Sequence, residues 1–152
     1  YYMAPPSYKH QKLVMELSAI IRNYIKQHKG TCEVLPAPFA VYLGEINNTY
    51  VEPDISVICD PNKLDDKGCK GAPDWIIEIV SPASRKMDYL LKLFKYHSAG
   101  VREYWIVDIA KNRITVYNFN HDYSIEEYSF TDTVKAGIYE DLSIDFSEIN
   151  IL

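Results

Sequence analysis

The apolar segment Trp75–Val80 constrains the fold more than any other part of this chain. Its sequence, WIIEIV, is a continuous hydrophobic run of the length that suits a central β-strand covered on both faces. Glu78 interrupts this run, and a strand rarely buries a carboxylate unless a cation or a metal pairs with it. The segment therefore predicts the middle of a sheet and, at the same place, a functional site.

A helix and a second apolar strand follow this segment. Ser81-Pro82 ends the first strand, Ser84 is suited to cap a helix over about residues 85–98, and Gly100 is suited to close it. Residues 101–108 then predict the next strand. A strand, a helix and a further strand form a βαβ-like unit, which is expected to be right-handed.

An amphipathic helix is predicted near the N terminus. Ser7 is a candidate N-cap, and the helix runs to about Lys29, where Gly30 closes it. Its apolar residues fall on one face at ~100° per residue; they are Leu13, Val14, Leu17, Ile20, Ile21, Tyr24 and Ile25. His10 projects onto the same face. It is either a buried core histidine or a partner of an acidic site, and the sequence leaves both interpretations open.

Short strands are predicted elsewhere by alternating or apolar patterns bounded by turn residues. They cover residues 33–35, 39–43, 51–59, 113–119, 123–130 and 142–146. Residues 60–73 predict a polar loop that is long enough to act as a mobile flap over a site. Together these elements predict one domain over residues 1–152, of class α/β (α+β), with a mixed sheet covered by helices. Because the sequence begins at Tyr1 rather than at a methionine, we expect that preceding residues are missing.

Composition narrows the function classes. The net charge of −5 argues against non-specific coating of nucleic acid, but it allows a phosphate to be met locally through a metal. No apolar run approaches the ~20 residues that span a bilayer, and no signal-peptide pattern is present. We therefore expect a cytoplasmic protein with no membrane partner. Cys32, Cys59 and Cys69 form no CxxC pair, so reduced thiols are expected rather than a disulfide or a zinc site.

Two acids on successive predicted strands suggest a metal site. Asp54 opens one strand, and Glu78 lies 24 positions later in the next. Carboxylate oxygens suit Mg²⁺ or Mn²⁺, and such an ion activates water and holds a phosphate oxygen for in-line attack. The alternative to a metal site is a structural role, in which Asp54 forms part of a turn and Glu78 pairs with a lysine or arginine.

Four segments together resemble the Uma-two family of bacterial endonucleases, which belongs to the PD-(D/E)XK nuclease superfamily. They are YYMAPPSYKH, VEPDISVI, PDWIIEIVSPASRKMDYLLKLFKY and GVREYWIVD. The order of strand, SP dipeptide, helix and GVxEYW is the specific part of this likeness, which covers Tyr1 to about Phe119. The resemblance implies a restriction-endonuclease-like mixed sheet flanked by helices and a metal-dependent phosphodiesterase site.

The resemblance assigns roles to individual residues. Pro53-Asp54 matches the family's PD, Glu78 matches its second acid, and His10 matches a histidine early in the first helix. Val80 stands where the wider superfamily has a lysine. Lys92, on the following helix, is the position that matches the lysine in the resembled family.

The polar face that carries Lys92 leaves two interpretations open. Asp88, Lys92 and Tyr96 are four residues apart, so they share one face of the helix. That face points either to an internal polar site or to solvent, with an ordinary Asp–Lys pair. The main-chain carbonyl groups of Ile79 or Val80 are candidates to complete a metal shell.

The sequence therefore predicts a Mg²⁺- or Mn²⁺-dependent endonuclease acting on DNA. Its catalytic set would be Asp54, Glu78, Lys92 and His10, with Asp54, Glu78 and Val80 as metal ligands. One alternative is a nuclease-fold module that no longer cuts and binds nucleic acid or a protein. Another is a scaffold built through the tyrosine-rich C-terminal strands. A homodimer is expected because two active sites can cut two strands.

Overall fold

A computed structural model describes residues 5–44, 49–81, 86–120 and 123–151, with the main chain alone at residues 86–88. The helices are α1 (Tyr8–Gln27) and α2 (Lys86–Ala99), and short 3-10 helices cover Pro61–Lys63 and Phe146–Glu148. The strands are β1 (Glu33–Pro36), β2 (Val41–Tyr42), β3 (Ile55–Ile58), β4 (Leu64–Asp65), β5 (Gly68–Lys70), β6 (Trp75–Val80), β7 (Glu103–Asp108), β8 (Arg113–Asn118), β9 (Ser124–Ser129), β10 (Thr133–Lys135) and β11 (Ser143–Asp145).

The main sheet of the described residues has the strand order β1-β3-β6-β7-β8-β9. The central strand β6 runs parallel to β7 and antiparallel to β3, and the other neighbouring pairs are antiparallel. Every residue of β6 is buried, as its apolar run predicts. The predicted mixed sheet flanked by helices is confirmed.

The two helices cover opposite faces of this sheet. Because successive side chains of a strand point to opposite faces, Trp75, Ile77 and Ile79 pack in the larger core, which includes the buried residues of α1. Ile76 packs on the other face with Tyr96 of α2 and with Tyr104. Glu78 shares the parity of Ile76, so its side chain enters the sheet face that α2 covers.

The helices follow their sequence signals closely. The Ser7 side chain accepts a hydrogen bond from the His10 main-chain N–H at 3.1 Å, which confirms the predicted N-cap of α1. Helix α2 ends at Ala99, and Gly100 has the positive φ of 101° that favours glycine at a helix end. The predicted break at Pro82 and cap at Ser84 lie outside the described residues. None of the helices within the described ranges is long and apolar enough to cross a bilayer.

The predicted loop at residues 60–73 is a structured element instead. A 3-10 turn leads into the hairpin β4–β5, and β5 pairs in parallel with β2. Gly68 fits tightly in this hairpin, since a Cβ atom there would lie 2.2 Å from the Ala40 carbonyl oxygen. The prediction of a loop without strands was wrong here, because strands of two or three residues carry little periodic signal. A flap that moves over a site stays a prediction. The strands predicted at 39–43 and 51–59 are also shorter than expected.

The prediction of reduced thiols was wrong for two of the three cysteines. Cys32 and Cys59 form a disulfide, with their Cα atoms 4.0 Å apart. They flank the antiparallel pair in which Glu33 of β1 lies opposite Ile58 of β3, and this register places the two sulfur atoms together. Cys69 is a buried free thiol, and burial raises its pKa to about 11. Spacing in the sequence does not reveal a strand register, so it could not reveal this pairing.

We expect thiol counting to verify the disulfide. Protein unfolded without reductant should present one alkylatable cysteine, Cys69, and protein reduced before alkylation should present all three. Intact-mass spectrometry after alkylation measures both states. Three labelled thiols in freshly purified, unreduced protein would contradict the pairing.

The packing of α1 predicts a contrast between two of its residues. Leu17 is fully buried and Met15 is 69% exposed. Leu17→Ala should lower the free energy of unfolding by about 2–5 kcal/mol because it leaves a cavity in the core. Met15→Ala, the control on the same helix, should change it by less than about 0.5 kcal/mol. Urea denaturation followed by circular dichroism measures both, and equal effects would contradict this orientation of α1.

Candidate active site

Asp54 is held at the junction between β3 and β6. Its Oδ2 atom accepts a hydrogen bond from the Ile79 main-chain N–H at 2.7 Å, and its Oδ1 atom lies 3.2 Å from His10 Nε2. Because Ile79 directly follows Glu78, the first contact brings the Asp54 carboxylate beside the part of β6 that carries the second acid. The two predicted acids therefore converge.

Glu78 is a buried carboxylate with only one of its oxygens paired. Its Oε2 atom lies 2.9 Å from Lys92 Nζ, and 8% of its side chain is exposed. Its Oε1 atom is buried and has no hydrogen-bond partner among the described residues. The Tyr96 hydroxyl and the Asp54 main-chain N–H lie close enough to influence this carboxylate, but neither meets the geometry of a hydrogen bond to Oε1.

The electrostatics of Glu78 favour the binding of a positive charge. Burial raises the pKa of this carboxyl group, the charge of Lys92 opposes the rise, and the charge of Asp54 adds to it. Lys92 and, when it is protonated, His10 balance the two carboxylates, so the site carries excess negative charge while His10 is neutral. A cation would relieve that repulsion.

Lys92 reaches the acids from α2. Burial alone would lower the pKa of its ammonium group, but the charge of Glu78 and the hydrogen bond to it outweigh this effect and raise the pKa. Its side chain is 37% exposed, so the amine lies where the acidic site meets solvent. Lys92 contacts Glu78. The Asp88 side chain, with which the sequence left a pair open, lies outside the described residues.

His10 joins the site from α1, on the other face of the sheet. The hydrogen bond to Asp54 raises its pKa, against the opposing effect of burial, and the charges of Asp54 and Glu78 act in the same direction as the bond. The structure thus places this histidine beside the acids. His10 is an orienting partner for Asp54, since it fixes the Oδ1 atom while Ile79 fixes Oδ2.

Tyr96 and Tyr104 lie on the same side of the sheet as Glu78, and sequence reasoning gave Tyr104 no place at the site. Both side chains are fully buried, their ring centroids are 4.9 Å apart, and neither hydroxyl has a hydrogen-bond partner in the part of the chain that the structure describes. Burial, and then the charge of Glu78, raises the pKa of both hydroxyls. Tyr104 lies opposite Ile76 in the parallel pair, on the face that also carries Glu78, and this placement follows from the strand register and not from the sequence pattern.

Glu103 is a second buried carboxylate, and it lies apart from this site. It is 1% exposed, and it accepts hydrogen bonds from Trp105 Nε1 at 2.6 Å and from the Ile138 main-chain N–H at 2.9 Å. Its side chain points to the α1 face, where Trp105 packs in the larger core. The motif residues Glu103 and Trp105 therefore form a packed strand that secures the C-terminal segment.

Of two neighbouring carbonyl groups of β6, one points toward the acids and the other accepts a hydrogen bond on the β7 side. The Val80 carbonyl oxygen accepts a hydrogen bond from the Ile109 N–H at 3.2 Å, on the β7 side. The Ile79 N–H points to Asp54, and the N–H and carbonyl of one strand residue point to the same side. Of the two carbonyl groups proposed from the sequence, that of Ile79 is therefore directed toward Asp54.

The donors present suit a hard divalent cation. Asp54, Glu78 and the Ile79 carbonyl group are all oxygen donors, and the unpaired buried Oε1 atom of Glu78 needs a positive or hydrogen-bonding partner. Among the described side chains, no three His, Cys, Asp or Glu residues form a ready metal-ligand cluster. Two carboxylates with main-chain and water oxygens match the way Mg²⁺ is usually held.

The fold belongs to the restriction-endonuclease-like class. A crystal structure described as that of a putative nuclease belonging to DUF820, from Anabaena variabilis, superposes with a TM-score of 0.78, covering 98% of this chain and 84% of the other at 18% identity. The chain is also 27% identical over 123 residues to the uncharacterized protein slr1290 of Synechocystis sp.. That match includes 80% of this chain but only 63% of the relative's length.

The Uma2 family model, described as "Putative restriction endonuclease", matches residues 1–147. The chain belongs to this family, and the resemblance seen in its sequence motifs is confirmed.

The Glu78–Lys92 pair predicts a pH-dependent stability effect. Lys92→Met should lower the free energy of unfolding by about 1–3 kcal/mol at about pH 7, because it leaves a buried acceptor unpaired. A carboxyl group with a raised folded-state pKa stabilises the protein at low pH, and this contribution is lost as the pH rises through that pKa. The deficit of the variant should therefore be small at about pH 4 and grow toward neutral pH.

Urea denaturation across this pH range measures the effect. Lys95→Met, at an exposed lysine of the same helix, is the matched control and should be nearly neutral. Glu78→Gln combined with Lys92→Met should recover most of the lost stability, because no buried charge is then left unpaired. A deficit that is equal at both pH values would contradict the role given to Glu78.

Proposed function

We propose that this protein is a metal-dependent endonuclease that hydrolyses phosphodiester bonds in DNA. The observation that carries the proposal is the convergence of Asp54, Glu78 and Lys92, with one buried carboxylate oxygen that no described residue pairs. A strand buried on both faces gains nothing in stability from such a group, so a functional reason for it is favoured. The family match supports the same class of activity.

Asp54 and Glu78 would hold Mg²⁺ or Mn²⁺, together with the Ile79 carbonyl group. When bound, such an ion lowers the pKa of a water molecule, and its charge stabilises the phosphate oxygens during in-line attack. His10 keeps the Asp54 carboxylate oriented through its 3.2 Å contact. Burial between the sheet and α2 limits the motion of the second carboxylate, that of Glu78.

Lys92 supplies a positive charge rather than a base. Its raised pKa keeps the amine protonated at neutral pH. A protonated amine at the solvent-facing edge of the site can donate hydrogen bonds to a phosphate oxygen and stabilise the charge that gathers there in the transition state. Val80 occupies the position at which the wider superfamily carries its lysine, and Lys92 would take over that role from the adjacent helix.

A nuclease-fold module that binds without cutting is the second candidate. Val80 at the lysine position and the net charge of −5 favour it. The 2.9 Å contact of Lys92 with Glu78 favours the catalytic proposal instead, because an inactive module has no need to retain that lysine beside the acids. A homodimer and a cytoplasmic location remain predictions, and light scattering at several concentrations tests the dimer.

Cleavage assays test the proposal. With Mg²⁺ or Mn²⁺ the protein should nick supercoiled plasmid DNA, and EDTA should abolish the nicking. Asp54→Asn and Glu78→Gln should each lower the rate by at least about 100-fold, since even indirect partners of a metal contribute about 10–100-fold. Lys92→Met should lower it by about 100–1,000-fold, and His10→Ala by about tenfold.

Asp65→Asn is the matched control, because Asp65 is a solvent-exposed carboxylate on β4 away from the site. It should leave the rate unchanged when purified in parallel with the other variants. A labelled RNA of the same sequence tests the choice of DNA. Cutting that persists in EDTA, or that Asp54→Asn does not alter, would refute the proposal.

A further inference from the structure

Lys92 and Tyr96 approach Glu78 from the same face of α2. They are four residues apart, which is about one helical turn, so their side chains lie one above the other. Lys92 is partly exposed and its Nζ atom lies 2.9 Å from Glu78 Oε2, whereas Tyr96 is fully buried. Helix α2 therefore brings a cation to this carboxylate at the solvent edge and a hydroxyl group from the protein interior.

The Tyr96 hydroxyl is a buried group that packing alone does not explain. It has no hydrogen-bond partner within the described ranges, and neither has the Oε1 atom of Glu78. An unpaired buried hydroxyl lowers stability, and phenylalanine would pack the same ring without that cost. The ring packs with Ile76 and Tyr104 in an apolar cluster. Packing thus accounts for the ring of Tyr96 but not for its oxygen.

The Tyr96 hydroxyl and the Glu78 carboxylate lie near each other. After burial, the charge of Glu78 is the largest cause that raises the pKa of this hydroxyl, and the charge of Asp54 follows. The Glu78 carboxylate also acts on it as a nearby hydrogen-bond acceptor. A hydroxyl with a raised pKa keeps its proton, so it can donate to a carboxylate. A donor and an acceptor that the described residues leave unpaired are therefore neighbours.

We propose that Tyr96 is a positioning residue for Glu78, and that its hydroxyl donates a hydrogen bond to Oε1 when the carboxylate binds a divalent cation. The inference rests on the proposed function, because it assigns a supporting group to a proposed metal ligand. An ionised carboxylate has about four lone-pair sites, so Oε1 can accept this bond and still bind a cation. Such bonds are often poorly aligned in a free enzyme and tighten when the site is filled.

The proposed bond gives Glu78 one partner at each carboxylate oxygen. Lys92 contacts Oε2 and Tyr96 would contact Oε1, so rotation of the carboxylate away from the cation is opposed at both atoms. Asp54 already has a partner at each of its oxygens. Metal ligands in proteins are commonly oriented by such partners, and the loss of one lowers metal affinity by about 10–100-fold.

Tyr104 provides a matched comparison. Its hydroxyl is also buried and without a hydrogen-bond partner in the described part of the chain, and its ring centroid lies 4.9 Å from that of Tyr96. After burial, the charge of Glu78 and then the neighbouring tyrosines raise the pKa of this hydroxyl, rather than a hydrogen bond to the carboxylate. Tyr104→Phe therefore removes the same atom from the same cluster without removing a partner of Glu78.

Manganese binding without DNA tests the inference separately from cleavage. Each protein is titrated with Mn²⁺, and electron paramagnetic resonance measures the free ion that remains in solution. Tyr96→Phe should weaken Mn²⁺ binding about tenfold, at the lower end of the ~10–100-fold range for the loss of such a partner. Tyr104→Phe should leave the affinity unchanged.

Two further readouts separate positioning from packing. In plasmid cleavage, Tyr96→Phe should raise the Mn²⁺ concentration that gives half the maximal rate, while the rate at saturating Mn²⁺ falls much less. Urea denaturation of the metal-free protein should show no loss of stability, because this hydroxyl has no partner there among the described residues. A packing role would instead lower stability and leave the Mn²⁺ affinity unchanged.

The outcomes distinguish this inference from the proposed function. If Glu78→Gln abolishes Mn²⁺ binding while Tyr96→Phe leaves it unchanged, the positioning role is overturned and the nuclease proposal is unaffected. If Tyr96→Phe weakens Mn²⁺ binding but no DNA is cut, the positioning role stands and the nuclease proposal fails. Wild-type protein that binds no Mn²⁺, equal weakening by Tyr96→Phe and Tyr104→Phe, or a Tyr96→Phe protein that does not fold would overturn the inference.

Discussion

The half-paired carboxylate of Glu78 is the constraint on which the site depends. A charge buried in a central strand is costly, and one lysine contact at 2.9 Å offsets only part of that cost. A pair of apolar residues would hold β6 and α2 together at least as well. The protein instead keeps an acid whose second oxygen has no hydrogen-bond partner among the described residues, and the cation that we propose would supply one.

The fold makes this arrangement possible because β6 carries two different faces. Its alternation sends Ile77 and Ile79 into the core under α1, while Glu78 enters the face under α2. Asp54 arrives at the end of the neighbouring strand and reaches across to the Ile79 N–H. The site therefore joins groups from both sides of the sheet, and it does so at a strand end, where α/β proteins commonly bind ligands.

Elements with strong periodic signals were predictable from the sequence. Trp75–Val80 has the same bounds in the prediction and in the structure, and α1 differs only at its end. The small sheet of β2, β4 and β5 and the strand β10 were missed or misjudged, because strands of two or three residues depend on tertiary pairing more than on local pattern. The Cys32–Cys59 disulfide was missed for a related reason, since it follows from strand register.

The candidate site was predictable to a different extent for each residue. Asp54 and Glu78 stand out because carboxylates are rare in apolar runs, while the position of Lys92 came from the family resemblance and is consistent with its contact with Glu78. The partner of His10 could not be derived from the helix pattern alone, which indicates a face but not what lies opposite it.

A crystal soaked in Mn²⁺ and measured at the manganese absorption edge tests the central claim most directly. We predict an anomalous peak in contact with carboxylate oxygens of both Asp54 and Glu78. Soaked crystals with no peak there, or with manganese bound only at other carboxylates while Glu78 stays paired with Lys92, would contradict the account.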